Sequence, residues 1–328
     1  MEQKIENRKE RILVALPARE DQRTHLEKIA PCAEVIYCPA AEVTKELVWK
    51  ADVILGNVPA DMIQNSPNLR WLQLNNAGTE GYCTPGVLPE EAILTNATGT
   101  YGMAISEHMI AMLFMLQKRL DTYYQQQKNH NWKKQEHMMV VEGSTTLVIG
   151  LGDIGTAFAE KMHAMGSRVL GIRRTMQPKP DAVESQYTME HLHELLPQAD
   201  VVALSLPAWK ETQGVIGKEE LKLMKKTAVI LNVGRGSAID TDALSDALYT
   251  GEIFGAGLDV TNPEPLPPDH PIWNAPHTII TPHVSGRYDL PATLEKIWNL
   301  ILDNLERWEK GRDLKNVIDL STGYVKRI

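Results

Sequence analysis

Residues Thr145–Gly155 read T-T-L-V-I-G-L-G-D-I-G. A short β-branched run ends in three glycines spaced G-x-G-x-x-G, and a helix-compatible segment, 156–165, follows at once. This is a strand, a tight turn and a helix. Gly150 permits the turn, Gly152 lets the backbone approach a pyrophosphate, and Gly155 lets helix and strand pack closely. The phosphates of a dinucleotide would then meet the unpaired N–H groups and positive dipole end of the helix. Taken alone the pattern is also that of a glycine turn required only by the backbone.

Downstream of this turn, strands are expected at Arg168–Ile172, Asp200–Leu206, Ala228–Val233, Phe254–Val260 and Thr278–Thr281, with helices at Met189–Leu196, Lys218–Met224 and Thr241–Tyr249 between them. Alternating strand and helix implies a parallel sheet. Upstream, apolar runs from Arg11 and at Glu34–Tyr37, Asp52–Leu55, Leu69–Leu74 and Ala92–Leu94 alternate with helix-compatible Asp21–Ala30 and Ala41–Lys50. The expected fold class is therefore α/β, with two doubly wound parallel-sheet domains, and 328 residues suit two cores better than one. The segment Met103–Gln127 carries no helix breaker and is apolar nearly all round as far as Leu116. It reads as one long helix, buried on every side as far as Leu116 and turning polar and basic from Tyr123, which suits an interdomain spacer that also packs on a second copy or, equally in appearance, a helix in the middle of one large core. Leu290–Arg307 has helical apolar spacing and is expected to return to the first domain. The resulting boundaries are 1–102 with 287–328, and 103–286: a Rossmann domain inserted in a flavodoxin-like one.

Composition narrows the partners. A net charge of −8 argues against a sequence-independent grip on nucleic acid, which needs many Lys and Arg on phosphates. The three cysteines, Cys32, Cys38 and Cys83, have no metal-ligand spacing and read as reduced filler, so no metal site is expected. No apolar leader or membrane-length run is present, so a cytoplasmic protein is expected.

In a doubly wound sheet the chemistry lies beyond the carboxyl ends of the strands. Arg235 follows one such end between two glycines, where a guanidinium is uncrowded and can take a carboxylate bidentately, or be a surface turn residue. Glu264 is held between prolines in the next loop, and His283 follows a proline after the last strand. Each is bland alone. Together they offer a carboxylate ligand, an acid and a proton carrier on one sheet.

The series resembles the D-isomer-specific 2-hydroxyacid dehydrogenases, relatives of phosphoglycerate, glyoxylate/hydroxypyruvate and D-lactate dehydrogenases. The likeness is carried by G-L-G-D-I-G at 150–155, L-K-L-M-K-K-T-A-V-I-L-N-V-G-R-G at 221–236, G-A-G-L-D-V-T-N-P-E-P-L-P at 255–267 and T-P-H-V-S-G at 281–286. It is looser upstream, through N-N-A-G-T-E at 75–80 and the turn into the helix with its Glu107-His108 pair. The resemblance implies that Arg235 holds a 2-oxo acid and that His283 protonates its carbonyl oxygen as hydride arrives. Glu264 would orient His283 and favour its imidazolium. It also implies that Ala77, Gly78 and Thr79 offer N–H groups to the substrate carboxylate, bridging both domains. Asp153, Ile154, Leu206, Pro207, Thr212, Val233, Gly234 and Asp259 would line the dinucleotide. The product would be a D-2-hydroxy acid, and the assembly a homodimer. Corepressor-like nucleotide sensors share the fold and stand as the other reading. Formate dehydrogenase differs around the histidine.

An NAD site ordinarily has an acid at the end of its second strand. Here that strand runs into Arg173-Arg174-Thr175, and no acid appears before Asp181. Two guanidiniums and a hydroxyl suit a 2′-phosphate, so NADPH is the expected cofactor, with NADH possible as a substitute. The choice among 2-oxo acids would depend on a side-chain pocket made mostly by the first block. Its selectivity would come from loops near Asn76, Thr79 and Tyr101.

Overall fold

The computed structural model describes residues 8–326. They form two compact units, 8–101 with 287–326, and Gly102–Gly286.

The first unit runs β1 (Arg11–Val14), α1 (Glu20–Ile29), β2 (Glu34–Tyr37), α2 (Lys45–Lys50), β3 (Val53–Leu55), α3 (Ala60–Ile63), β4 (Trp71–Gln73) and β5 (Ile93–Thr95). The sheet is parallel throughout, in the order β2-β1-β3-β4-β5. This is the flavodoxin-like order. Its strands are short and wholly apolar in the centre because both faces are covered, leaving Val53, Ile54 and Leu55 without exposure.

The second unit contains α4 (Gly102–Gln117), α5 (Leu120–Lys128), β6 (Thr145–Ile149), α6 (Asp153–Ala164), β7 (Arg168–Ile172), β8 (Ser185–Tyr187), α7 (Leu192–Leu195) and β9 (Val201–Leu204). It continues through α8 (Lys218–Leu223), β10 (Val229–Asn232), α9 (Thr241–Thr250), β11 (Gly255–Leu258) and β12 (Thr278–Ile280). Seven parallel strands lie in the order β12-β11-β10-β9-β6-β7-β8. The order reverses between β6 and β9, which makes their carboxyl ends the switch point where a doubly wound sheet binds ligands. Back in the first unit, α10 (Pro291–Glu309) leads to the hairpin β13 (Ile318–Asp319) and β14 (Tyr324–Val325). α10 packs on α1, with the buried Trp298 indole N–H donating to Pro17 O at 2.8 Å. Buried Asn304 donates to Gln73 Oε1 at 2.8 Å and accepts from Lys315 N at 2.7 Å, so its amide is satisfied on both sides.

Several expectations need correction. The long helix Met103–Gln127 is broken: Arg119 stands at φ 56°, and α5 starts afresh after it. No glycine or proline marks the break. Packing imposes it instead, because the segment near Met139 returns over the elbow, with Lys118 Nζ donating to Met139 O at 2.7 Å and Met139 N to Gln117 O at 3.1 Å. The burial expected of α4 included a second copy, and within the single chain one part of its surface is covered. Met109, Met112, Leu113 and Leu116 are buried, but Ile110 and Phe114 are half-exposed and Ala111 is exposed. Helix Ala41–Lys50 resolves into a 3-10 turn at Ala40–Glu42 and α2, because Thr44 caps α2 by accepting from Leu47 N. Met189–Leu196 holds only one α turn, flanked by 3-10 turns. The edge strand β8, S-Q-Y, lacks the apolar signal that marks the other strands.

Candidate active site

Arg235, Glu264 and His283 follow β10, β11 and β12, three neighbours in the sheet, and the glycine turn follows β6 at the switch point. All therefore lie along one edge of the sheet.

The three glycines of the turn have different reasons. Gly150 has φ +104°, and a Cβ there would stand 2.9 Å from Ser205 O. A Cβ on Gly155 would stand 1.9 Å from Gly150 O, so helix and turn touch at that point. Packing demands both. Gly152, at the N-cap of α6, is exposed, and a Cβ there would meet nothing within 4 Å. Its missing side chain leaves open surface at a helix N-terminus, which is the cradle a pyrophosphate takes. The residues therefore fit a dinucleotide. Ile154 is half-buried on the first turn of α6. The Asp153 carboxylate is used within the protein, accepting from Gly102 N at 2.8 Å and so holding the start of α4.

Beyond the turn, Ser205 Oγ donates to Gly150 O at 2.7 Å and ties the loops after β6 and β9 together. Leu206 is buried, and Pro207 begins a loop braced by Thr212, whose hydroxyl donates to Pro207 O at 2.7 Å and accepts from Trp209 N at 3.0 Å. Val233 is buried. A Cβ on Gly234 would lie 2.4 Å from Leu206 O, and one on Gly236 would lie 1.9 Å from Thr261 O. The glycines flanking Arg235 thus also serve loop-to-loop packing. Arg235 itself is half-buried, with Nη1 donating to Gly234 O at 2.8 Å and its carbonyl accepting from Asn232 Nδ2 at 3.0 Å.

Glu264 and His283 meet. Oε1 of Glu264 is 2.6 Å from Nδ1 of His283, and both side chains are roughly half-exposed. His283 sits at φ +52°. Asp259 is buried, at 1% exposure, and organises this turn: it accepts from Thr281 Oγ1 at 2.6 Å, Val284 N at 2.9 Å and Ser285 N at 3.0 Å. Its main-chain oxygen accepts from His283 N at 2.8 Å. These three bonds shape the histidine loop.

At the end of β7, Arg173 donates to Gln186 Oε1 at 3.3 Å and to Gln177 Oε1 at 2.5 Å. The Arg174 guanidinium lies over the Trp209 ring, 5.2 Å from its centroid, and Thr175 is exposed beside it. Trp209, Gln177 and Gln186 escaped the sequence reading because none is a motif residue: Gln177 lies four residues beyond Arg173, Gln186 is on β8, and Trp209 comes from the loop after β9. In the first unit the turn after β4 is held from within. Ala77 is exposed, and its carbonyl accepts from Asn96 Nδ2 at 2.6 Å. Gly78 is half-buried, and Thr79 Oγ1 donates to Gly323 O at 3.0 Å. The buried Tyr101 hydroxyl donates to Asn75 O, while Asn76 Oδ1 is buried without a partner among the described residues. Among the described residues no cluster of His, Cys, Asp or Glu could hold a metal ion, and no helix is long and apolar enough to cross a membrane.

Residues 110–285 match the family model for the NAD-binding domain of D-isomer specific 2-hydroxyacid dehydrogenases. The chain belongs to that family. Among its relatives are a hydroxypyruvate reductase of Blautia hydrogenotrophica, 30% identical over 83% of this chain and 86% of its own, and a glyoxylate reductase of Korarchaeum cryptofilum, 29% identical over 86% of each. Among solved structures, a family member from Aeromonas salmonicida superposes with a TM-score of 0.84 at 29% identity, covering 95% of this chain and all of the other. One from Xanthobacter autotrophicus, in complex with NADPH and MES, gives 0.79 at 25% identity over 97% and 100%. This D-2-hydroxyacid dehydrogenase is thus an NAD(P)-dependent oxidoreductase with two doubly wound domains.

Proposed function

We propose that this dehydrogenase reduces a small 2-oxo acid to its D-2-hydroxy acid with NADPH, using Arg235, Glu264 and His283. The observation that carries the reading is the 2.6 Å contact of His283 Nδ1 with Glu264 Oε1. A ring whose Nδ1–H is held by a carboxylate has its other nitrogen, Nε2, left for proton exchange. His283 gives that proton to the carbonyl oxygen of the 2-oxo acid and takes it back in the oxidative direction. When bound, the reduced nicotinamide supplies the hydride to the carbonyl carbon. Arg235, planar and always charged, holds the substrate carboxylate bidentately and so selects the face presented.

NADPH is favoured by the residues at the end of β7. An arginine stands where an acid would bind the ribose hydroxyls of NAD, and Arg174 and Thr175 follow it. The amide oxygens of Gln177 and Gln186 orient Arg173. The NADPH in the Xanthobacter relative accords with this. Glyoxylate and hydroxypyruvate are the first substrates to try, being those named for the Korarchaeum and Blautia relatives. A homodimer in the cytoplasm completes the reading. Leu120, Tyr124, Trp132, Met138 and Val140, on α5 and the segment after it, are exposed apolar side chains that a second copy would cover. Light scattering giving the monomer mass would contradict that assembly.

The test is a panel of 2-oxo acids assayed with NADPH and with NADH. Turnover of one of them with NADPH, at a higher kcat/KM than with NADH, is expected. Failure to oxidise either cofactor with any member would end the substrate reading, and equal or better efficiency with NADH would end the cofactor reading.

A further inference from the structure

His108 lies on α4, and its imidazole is three-quarters covered, at 25% exposure. Its Nε2 is 3.0 Å from Thr281 Oγ1 and 3.9 Å from Asp259 Oδ1. Thr281 Oγ1 lies 2.6 Å from the same Oδ1. A hydroxyl carries one proton, and an ionised carboxylate only accepts. Asp259 already takes the N–H groups of Val284 and Ser285, one on each oxygen, so the Thr281 proton points to it as well. The hydrogen between His108 and Thr281 must then come from the histidine. With Asp259 as carboxylate, the tautomer of His108 that satisfies this geometry carries its proton on Nε2 and donates to Thr281 Oγ1.

The chain of bonds has a direction. His108 fixes the Thr281 hydroxyl, the hydroxyl fixes one oxygen of Asp259, and Asp259 holds the two N–H groups that follow His283 along with the N–H of His283 itself. His283 has φ +52°, a region that costs an L-residue roughly 1–2 kcal/mol and so depends on such bonds. We propose that His108 is a positioning residue for His283, acting through Thr281 and Asp259. The inference rests on the reading of His283 as the proton donor.

Two substitutions separate the donor from the bulk. His108→Leu removes the N–H at similar volume, and His108→Gln keeps an amide N–H in its place. Assayed with saturating reduced cofactor, His108→Leu should lose about tenfold in kcat while KM for the 2-oxo acid moves by less than about threefold, and His108→Gln should recover most of the loss. Thr281→Val should cost about as much as His108→Leu, and the double variant no more than the larger single loss, since both break one chain. Independently of turnover, ¹H–¹⁵N correlation spectra of the histidine rings should show the His108 proton on Nε2. A proton on Nδ1 alone, wild-type kcat in His108→Leu, a Gln variant as poor as Leu, or additive losses would each overturn the proposal. The two levels separate cleanly. If His283→Ala turns over normally, the underlying reading falls and this one with it; if His283→Ala is inactive while His108→Leu is normal, only the role of His108 falls.

Discussion

A Cβ on Gly236 would stand 1.9 Å from the carbonyl oxygen of Thr261, so the turn bearing Arg235 and the loop bearing Glu264 are pressed together at a point that admits only glycine. Gly152 is the opposite case, with nothing within 4 Å of a Cβ and φ near −88°. Gly236→Ala should therefore destabilise the protein by about 1–3 kcal/mol through overpacking. Gly152→Ala should stay within about 0.5 kcal/mol of the parent and weaken dinucleotide binding. Thermal unfolding and a fluorescence titration with NADPH check the pair. Equal destabilisation by both, or unchanged binding in Gly152→Ala, would contradict the assignment of the glycines.

The Arg174 guanidinium over Trp209 fixes one side of the surface after β7. Replacing it with an acid puts repulsion where a 2′-phosphate would sit. Arg174→Asp should raise KM for NADPH by about tenfold or more and change that for NADH by less than about twofold. Trp209→Ala should shift NADPH in the same direction by a smaller factor, as expected for loss of a support worth about 0.5–1 kcal/mol. Parallel shifts for both cofactors would show that the arginine does not discriminate.

Acid lability has an identifiable contributor. Burial, reinforced by the nearby charge of Arg119 and opposed by Asp121, holds His277 below the ordinary histidine value of 6.5. A group depressed on folding binds its proton more readily in the unfolded chain. Its effect is absent above the unfolded value, grows as the pH falls from about 6.5, and is complete below the folded value. His277 is stacked on Phe254 at 4.6 Å and 8°. His277→Phe keeps an aromatic ring there and removes the titration, so Tm should fall less steeply between about pH 7 and pH 5 than in the parent. An unchanged slope would assign the acid lability elsewhere.

Thiol chemistry should distinguish the cysteines. Burial pushes the Cys83 thiol up, outweighing its hydrogen bond with Thr79, whereas Cys32 is exposed. At neutral pH, alkylation followed by mass spectrometry should label Cys32 first, with Cys83 slower by about tenfold. Comparable rates would indicate that the turn near Thr79 opens readily.

The strands around the glycine turn were legible because each is a β-branched or aliphatic run stopped by glycine, proline or a charge. β7 has the expected bounds, Arg168–Ile172, and β6 begins at Thr145 as read. Glu264 and His283 were legible as strand-end residues, and the fold brings their side chains into contact. Other features left no local trace. The elbow at Arg119 is made by packing rather than by a breaker, and β8 is a polar edge strand with one neighbour. Asp153 reads as part of a phosphate turn, yet its carboxylate serves the N-terminus of α4, a contact across 51 residues. The His108 to Thr281 bond spans 173 residues, which no short motif can encode.

The role proposed for His283, held by Glu264, is to move the proton during NADPH-linked reduction of a 2-oxo acid. Its most direct test follows loss of NADPH absorbance at saturating 2-oxo acid in the parent and in His283→Ala. A positioned general acid contributes about 10²–10⁴-fold, so kcat should fall by at least about 10²-fold while NADPH still binds. Turnover in His283→Ala equal to the parent's would contradict the account.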